Sequence, residues 1–378
     1  MTGRRASALE RPIEADPLAA GIAVADLALL RRLPKAELHL HLDGSLRPST
    51  ALELARQRGV DGGLDLAQMA DALVAPERCR DQADLLRAFD LPIAILQDAD
   101  SLERATHELV EDTASDETRY VEIRWGPGLH VRRGLSLRDG IAAVARGAER
   151  GAAAVVAAGR PAIVVRLIAV ALRSHDPALN VSVARAGADA MASGLVGFDL
   201  AGPEAAFPDP LLHVDAFAIA RAAGLGITVH AGEWGGADQV RRSLAVKPAR
   251  IAHGAPAGDD PALMDELRAR AITLDLCPTS NLQADLCPSL ADHPLPRIVR
   301  AGVPATLSTD DRTVSALTLT EEYARARATL GLTMPELWRL DRHALEAAFL
   351  HDDEPLRLRL LAAFDAFAAA EPALASPS

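Results

Sequence analysis

Short apolar runs recur along the chain, each followed by a loop and then by an alanine-rich stretch with helical periodicity. Runs of this kind predict strands, and their alternation with helical stretches predicts repeated βα units. Eight such runs occur, at residues 36–43, 119–127, 162–170, 195–202, 226–233, 250–254, 272–279 and 304–311. Because a closed parallel barrel requires eight strands, we predict an α/β fold of the (β/α)8 TIM-barrel class.

The stretch between the first two predicted strands is too long for a simple βα crossover. It covers about residues 48–116, and its pattern is mostly helical. We expect this insertion to cover the mouth of the barrel. The predicted barrel spans residues 33–350, with an N-terminal arm at 1–32 before it and a C-terminal helical tail at 351–378 after it.

Composition and charge narrow the classes of partner. The chain has 378 residues, of which 49% are hydrophobic and 24% charged. No run approaches the roughly 20 consecutive apolar residues of a membrane span. A formal net charge of -12 would repel nucleic acids and anionic membrane surfaces. We therefore expect a small neutral or cationic molecule as partner, with no nucleic acid and no membrane, and the sequence leaves the oligomeric state open.

The cysteines and the N-terminus indicate the compartment. Three cysteines occur, Cys79, Cys277 and Cys287, and they form neither a CxxC pair nor an even-numbered disulfide framework. The positively charged N-terminus is interrupted by Glu10 and Pro12 before an apolar signal-peptide core can form. We expect a reducing, cytoplasmic setting and no signal peptide.

The first predicted strand contains two histidines in the sequence ELHLHLDGS. Successive side chains of a strand point to opposite faces, so His39 and His41 share one face and the leucines between and beside them share the other. Two histidines on one face at the end of a strand suit two ligands of one metal ion. A hydrogen-bonded core histidine remains the alternative for each residue taken alone.

Active sites of parallel barrels lie at the carboxyl ends of the strands, so the polar residues at these ends are the candidates. They are His39, His41, Gly202, His230, Glu233, His253, Asp310 and Asp311. The imidazole and carboxylate groups of His39, His41, His230 and Asp310 form a ligand set suited to Zn²⁺. Each residue alone has a structural explanation, such as a helix cap for the aspartate pair. Their common position at strand ends favours one site.

Six motifs, HLHLDGSL, GFDLAG, HAGE, RIAHG, CPTSN and STDD, occur in this order between about Leu33 and Glu322. In order and spacing the chain resembles the adenosine deaminase family of zinc aminohydrolases. The resemblance implies one Zn²⁺ per chain, and it implies hydrolysis of adenosine, with 2′-deoxyadenosine, to inosine and ammonia by zinc-hydroxide attack on purine C6. The implied zinc ligands are His39, His41, His230 and Asp310.

The resemblance also implies the roles of the remaining candidates. Glu233 would transfer a proton at purine N1, His253 would orient the attacking hydroxide, and Asp311 would hydrogen-bond purine N7. Asp43, directly after the HxHL motif, would meet the ribose hydroxyl. His41 and Gly202 would also contact the substrate.

Several alternatives for the substrate and for the role of the protein stay open. Adenine or a modified adenine nucleoside is the runner-up substrate. Asp43 nevertheless favours a nucleoside, because adenine and some modified-nucleoside relatives tend to have Glu at this position and the methylated-nucleotide branch tends to have Asn. Departures from the family pattern at Arg312-Thr313-Val314-Ser315 and at Trp234-Gly235-Gly236 could reshape the pocket. A non-catalytic purine-binding barrel is a further alternative.

Two other enzyme classes compete with the zinc deaminase. Phosphoesterases and dinuclear amidohydrolases on similar barrels usually need a bridging ligand, often a modified lysine. The lysines here are Lys35 and Lys247, and neither lies in the fourth predicted strand, which favours a single zinc ion. The cysteine-ligated nucleobase deaminases are excluded because the chain lacks their PCxxC signature.

Overall fold

The computed structural model describes residues 16–350 and 353–375, and in this part of the chain eight parallel strands pair in chain order. The strands are β1 (Lys35–His41), β2 (Thr118–Trp125), β3 (Val164–Leu172), β4 (Leu195–Ala201), β5 (Gly226–Ala231), β6 (Arg250–His253), β7 (Thr273–Leu276) and β8 (Ala305–Leu307). A parallel bridge between Leu40 and Asp310 joins β1 to the segment after β8. The sheet therefore closes nearly on itself, and the predicted TIM barrel is confirmed.

Helices follow the strands and surround the barrel. They are α1 (Val24–Leu30), α2 (Pro48–Arg58), α3 (Leu66–Leu73), α4 (Gln82–Leu86), α5 (Asp90–Ile95), α6 (Ala99–Ser115), α7 (Leu137–Ala157), α8 (Pro177–Asp189), α9 (Val214–Ala223), α10 (Gly236–Ser243), α11 (Pro261–Ala269), α12 (Pro278–Gln283), α13 (Leu295–Arg300), α14 (Leu319–Ala328), α15 (Met334–Ala347) and α16 (Glu354–Ala369). None of these described helices is long and apolar enough to cross a membrane.

The predicted insertion between β1 and β2 forms the five helices α2 to α6. Its long helix α6 begins at an N-cap, Asp98, whose side chain accepts a hydrogen bond from the Ser101 backbone N–H. The short helices α4 and α5 contribute Leu85, Leu86 and Ile93 to the wall of the main cavity. The insertion therefore shapes the space above the barrel.

The segments at both ends of the described part of the chain contact the outer helices α14 and α15. Asp16 Oδ2 lies 2.7 Å from Arg325 Nε, which ties the start of the described chain to α14. In the tail, Phe364 of α16 stacks on Trp338 of α15 with ring centroids 5.9 Å apart. Residues 1–15 of the predicted arm, and 351–352 and 376–378 of the predicted tail, lie outside the described residues, and the domain boundaries stay a prediction.

A buried ionic network occupies the interior of the barrel, where apolar packing is the rule. Arg250 Nε donates to Asp275 Oδ2 at 3.1 Å and pairs through its guanidinium with Glu122. Arg124 Nη1 donates to Asp199 Oδ2 at 3.0 Å. Each buried charge has a partner of opposite sign, which offsets the cost of its desolvation. Asp199 also takes part in the candidate site.

Candidate active site

Four side chains from β1, β5 and the segment after β8 converge at the carboxyl ends of the strands. His41 Nε2 lies 3.3 Å from His39 Nε2 and 3.2 Å from His230 Nε2. Asp310 Oδ1 lies 2.9 Å from His39 Nε2 and 3.4 Å from His41 Nε2. The four ligand atoms lie within 4.8 Å of one another. The residues predicted as metal ligands thus face a common point.

The protonation states of this group suit a zinc ion. Burial lowers the pKa of His39 well below its ordinary value and that of His41 to about 4, so both imidazoles are neutral. Burial acts to raise the pKa of Asp310, but His39 and His253 hold this pKa well below its usual range. Neutral imidazole and ionised carboxylate are the forms that bind metals, and nitrogen and oxygen donors fit Zn²⁺. The group can therefore hold a metal ion.

The backbone at Asp310 both closes the barrel and directs the carboxylate. Its N–H donates to the carbonyl of His39 at 3.1 Å, and its carbonyl accepts from the N–H of His41 at 2.7 Å. Its φ of 66° lies in the left-handed region, which a non-glycine residue adopts only when the surroundings enforce it. Ser280 Oγ donates to Asp310 Oδ2 at 2.6 Å, so Oδ1 is the oxygen that faces the histidines.

Two residues outside the predicted set fix the position of His230. Asp199 Oδ2 lies 2.9 Å from His230 Nδ1, which leaves Nε2 directed at the other ligands. Arg173 Nη2 donates to the backbone carbonyl of His230 at 2.9 Å. A carboxylate behind a metal-binding imidazole orients the ring and strengthens it as a ligand.

A chain of hydrogen bonds determines which nitrogen of His253 carries a proton. The backbone N–H of Leu295 donates to His293 Nδ1 at 3.2 Å, so the neutral His293 ring carries its proton on Nε2. This N–H donates to Asn281 Oδ1 at 3.1 Å, and Asn281 Nδ2 then donates to His253 Nδ1 at 3.1 Å. Burial lowers the pKa of both His293 and His253, so both are neutral. His253 therefore carries its proton on Nε2.

The Nε2 atom of His253 points toward the other candidate groups. It lies 3.9 Å from Glu233 Oε1 and 3.9 Å from Asp310 Oδ2. Like Asp310, His253 has a left-handed backbone, with φ of 65°. This geometry presents an N–H donor beside the metal-ligand group.

Glu233 has the properties of a carboxyl group that is protonated at neutral pH. Burial, followed by the negative charge of Asp310, raises its pKa to about 8. A protonated carboxyl group can give a proton to a basic atom of a ligand. The predicted role of Glu233 as a proton donor is therefore compatible with its surroundings.

Glu204 holds the turn that carries Glu233. Its Oε1 accepts from the backbone N–H of Gly232 at 2.7 Å, and its Oε2 accepts from that of Trp234 at 2.9 Å. Glu204 is buried, so both hydrogen bonds are shielded from water. The two residues flanking Glu233 are thus fixed by one carboxylate.

Asp311 reaches the site because residue 44 is glycine. A Cβ atom at Gly44 would lie 1.6 Å from Asp311 Oδ1, far closer than any non-bonded contact allows. Burial, followed by the charges of Asp310 and Asp43, raises the pKa of Asp311 well above its ordinary value. Among the described residues, Asp311 Oδ1 has no hydrogen-bond partner. A protonated Asp311 can therefore donate to a ligand acceptor.

One cavity of about 270 Å³ contains these groups at its base. The polar lining includes His41, Asp43, Gly202, His230, Glu233, His253, Asp310 and Asp311. Its upper walls are apolar and include Leu85, Leu86, Phe89, Ile93, Leu129 and Leu172. Apolar walls with a few convergent polar groups are typical of a small-molecule site. The structure thus brings all the predicted site residues together: all but His39 line the cavity, and His39 is a buried member of the metal-ligand group.

The two departures from the family pattern meet in one small apolar cluster, which we call the lid cluster. It consists of Ala75, Cys79, Leu85, Ala88 and Val314, with Phe89 and Trp234 packed against it. Val314 comes from the first departure and Trp234 from the second. Leu85 and Phe89 also line the cavity, so Val314 and Trp234 contact the residues that form its wall.

The sequence did not indicate several residues that position the site. Asp199, Glu204 and Asn281 contact the site residues, and His293 acts on His253 through Asn281, without being predicted. Asp199 had a usable signal, since it is a carboxylate within an apolar strand next to a strand-end motif. The other three act through partners distant in the sequence, which no local pattern reveals.

The sequence matches the family described as Adenosine deaminase over residues 34–363. The adenosine deaminase of Mycobacterium avium is 36% identical over 351 residues, covering 88% of this chain and 95% of that protein. The adenosine deaminase of Enterococcus faecalis is 34% identical over 325 residues, covering 86% and 94%.

Solved structures show the same architecture. An N6-mAMP deaminase from Arabidopsis superposes with a TM-score of 0.79 at 30% identity, covering 90% of this chain and 99% of that chain. An amidohydrolase from Burkholderia ambifaria with bound Zn has a TM-score of 0.81 at 26% identity, covering 93% and 96%. Together with the sequence match, the geometry of the metal-ligand group leads to one conclusion. The chain belongs to the adenosine deaminase family and is a hydrolytic deaminase acting on adenosine-type substrates.

Proposed function

We propose that this protein hydrolyses adenosine, and also 2′-deoxyadenosine, to inosine or 2′-deoxyinosine and ammonia. The observation that carries the proposal is the convergence of a metal-ligand group with Glu233, His253 and Asp311 at the base of one apolar cavity. The relatives named adenosine deaminase support the choice of substrate.

One Zn²⁺ ion is the proposed cofactor, held by His39, His41, His230 and Asp310. Bound zinc acts as a Lewis acid and brings the pKa of a water molecule into the neutral range, at about 7. The four-residue set is complete for one ion, and its donors are neutral imidazoles and one carboxylate.

Glu233 is the proposed proton donor to purine N1. Protonation of N1 lets the ring accept electrons when an oxygen nucleophile adds at C6. The Glu233 carboxylate left by this transfer can then take the proton of the added hydroxyl and pass it to the amino group, so that ammonia leaves and the product keeps the proton on N1. Glu204 accepts hydrogen bonds from the backbone N–H groups on both sides of Glu233, and these bonds fix the position of the Glu233 backbone in the cavity. General acid catalysis depends on such positioning.

His253 is proposed to hold the nucleophile by donating a hydrogen bond. Its Nδ1 already accepts from Asn281, so the neutral ring presents Nε2–H and offers no lone pair at that atom. The geometry therefore favours stabilisation of an oxygen atom over removal of its proton. Asp311, with its unpartnered Oδ1 in the described structure, is proposed to donate to purine N7, and Gly202 to contact the purine edge.

The charge of the cavity supports a nucleoside over a nucleotide. Among the described residues that line it, five are acidic, Asp43, Asp90, Glu233, Asp310 and Asp311, and none is lysine or arginine. A phosphate group would meet carboxylates there without a compensating cation, which costs binding energy. By its name, the Arabidopsis relative acts on the nucleotide N6-mAMP. The acidic lining of the cavity in this chain disfavours such a phosphorylated substrate.

The test is a panel of aminopurines assayed for ammonia release and for loss of the adenosine absorbance band. Adenosine and 2′-deoxyadenosine should be the best substrates, ahead of adenine, AMP and N6-methyl-AMP. Faster turnover of AMP or adenine would overturn the proposed substrate, and the absence of ammonia from every compound would overturn catalysis itself.

The proposed compartment is the cytoplasm, where reducing conditions keep free thiols such as Cys79, Cys277 and Cys287 reduced.

A further inference from the structure

A histidine that the proposed mechanism does not use lies next to Asp43. His130 follows the short turn Pro127–Leu129 after β2 and is 1% exposed. Its neighbour Leu129 and its contact Asp43 both line the cavity. His130 Nε2 lies 3.7 Å from Asp43 Oδ2.

The other nitrogen of His130 determines the tautomer of the ring. Nδ1 lies 2.7 Å from the backbone carbonyl oxygen of Leu96. A carbonyl oxygen only accepts hydrogen bonds, so Nδ1 must carry the proton. In the neutral ring, Nε2 is then a lone-pair acceptor that points toward the Asp43 carboxylate, which is also an acceptor.

Neither acceptor is satisfied by the protein. Within the described part of the chain, His130 Nε2 and Asp43 Oδ1 are buried and have no hydrogen-bond partner. His41 Nδ1 lies 3.9 Å from Asp43 Oδ1, which exceeds hydrogen-bond distance. Buried acceptors of this kind are costly unless a ligand or water supplies the donors.

We propose that His130 is a second sugar-binding residue, whose Nε2 accepts a hydrogen bond from a hydroxyl of the substrate beside the hydroxyl that Asp43 accepts. The proposal rests on the proposed function and deepens it. Two adjacent acceptors match two hydroxyl donors of a ribose, whereas a phosphate ester at this end offers acceptor oxygens to acceptors. The pair thus selects for an unphosphorylated sugar.

Substitution by asparagine separates binding from folding. The amide nitrogen of Asn in His130→Asn can take the place of Nδ1 and keep the bond to the Leu96 carbonyl, while the acceptor at Nε2 is lost. We expect KM for adenosine to rise roughly two- to tenfold, the effect of one neutral hydrogen bond, with kcat nearly unchanged. His130→Gln places an amide oxygen near the position of Nε2 and should restore part of the affinity.

Deoxy analogues identify the hydroxyl. His130→Asn should leave KM unchanged for one compound among 2′-deoxy-, 3′-deoxy- and 5′-deoxyadenosine, because that analogue already lacks the partner. An equal rise for adenosine and all three analogues would overturn the proposal and indicate that a fixed water satisfies His130.

A second readout separates failure of this inference from failure of the proposed function. Inosine and hypoxanthine are added to the wild type and to His130→Asn, and the shift in melting temperature is measured. The substitution should reduce the shift caused by inosine and leave that caused by hypoxanthine unchanged. Equal effects on both would contradict the sugar contact even in a protein that deaminates adenosine, whereas lack of ammonia release alone would contradict only the proposed activity.

Discussion

At the scale of single residues, burial and hydrogen bonding determine the protonation states of the site residues. Glu233 lies in a partly buried turn, and the burial of its carboxyl group, with the charge of Asp310, raises its pKa to about 8, which favours the protonated form. His253 is a donor only because Asn281 and His293 determine its tautomer. The sequence predicts Glu233 and His253 as site residues from their positions at strand ends. It could not reveal their protonation states, because these depend on burial and on partners far along the chain.

Replacing Glu233 by Gln separates proton transfer from binding. The amide fills the same space but cannot give a proton to N1, so kcat should fall about 10²- to 10⁴-fold. Zinc content and the affinity for inosine should stay near wild-type values, because Glu233 is not one of the proposed ligands. Near-normal kcat in Glu233→Gln would show that another group donates the proton.

Replacing Asp310 by Ala should remove both metal and turnover, because the substitution removes the carboxylate of the proposed ligand set. Metal content by elemental analysis and ammonia release measure the two effects. Asp259→Ala is the matched control, since the Asp259 side chain is 69% exposed and pairs only at the surface with Arg297. Retention of a full equivalent of zinc in Asp310→Ala would contradict its role as a ligand.

At the scale of elements, the hydrophobic pattern predicted all eight strands but not where they end. The predicted eighth strand reached residue 311, whereas β8 ends at Leu307. The predicted fifth strand included Glu233, whereas β5 ends at Ala231. The backbone turns beyond these ends, as the left-handed φ of 66° at Asp310 shows. Glu233, Asp310 and Asp311 thus lie just beyond the ends of the regular strands.

The lid cluster connects the helical insertion to the rim of the barrel, and we expect it to control substrate affinity. Val314→Ala removes two methyl groups from a side chain that is 1% exposed, which should lower stability by roughly 1–3 kcal/mol. Because Leu85 packs in the same cluster and lines the cavity, KM for adenosine should rise more than kcat falls. Steady-state kinetics and thermal unfolding measure the two effects.

The control for this substitution is Val156→Ala on the outer helix α7, where the side chain is 54% exposed and little should change. Trp234→Phe, alone and combined with Val314→Ala, tests whether the two departures act together. Contacting residues show coupling energies of about 0.5–3 kcal/mol in such cycles. Strictly additive effects on KM would show that Trp234 and Val314 do not act as one unit.

At the scale of the whole molecule, the proposed metal site lies across the seam where the barrel closes. His39 and His41 come from β1, His230 comes from β5, and Asp310 follows β8. The seam between β1 and the end of β8 rests on the bridge between Leu40 and Asp310. A metal ion bound by these residues would link the first and last strands to a strand on the opposite part of the sheet.

Removal of the metal should therefore destabilise the whole barrel. A ligand present at 1,000 times its Kd stabilises the folded state by about 4 kcal/mol, so a chelator should lower Tm by roughly 10 °C, and added zinc should restore it. Glu233→Gln should respond like the wild type, whereas Asp310→Ala should be insensitive to both chelator and zinc. Elemental analysis of dialysed wild-type protein should give one equivalent of zinc per chain. Two equivalents, or full activity without metal, would contradict the single-ion site, and an unchanged Tm would show that the barrel closes without it.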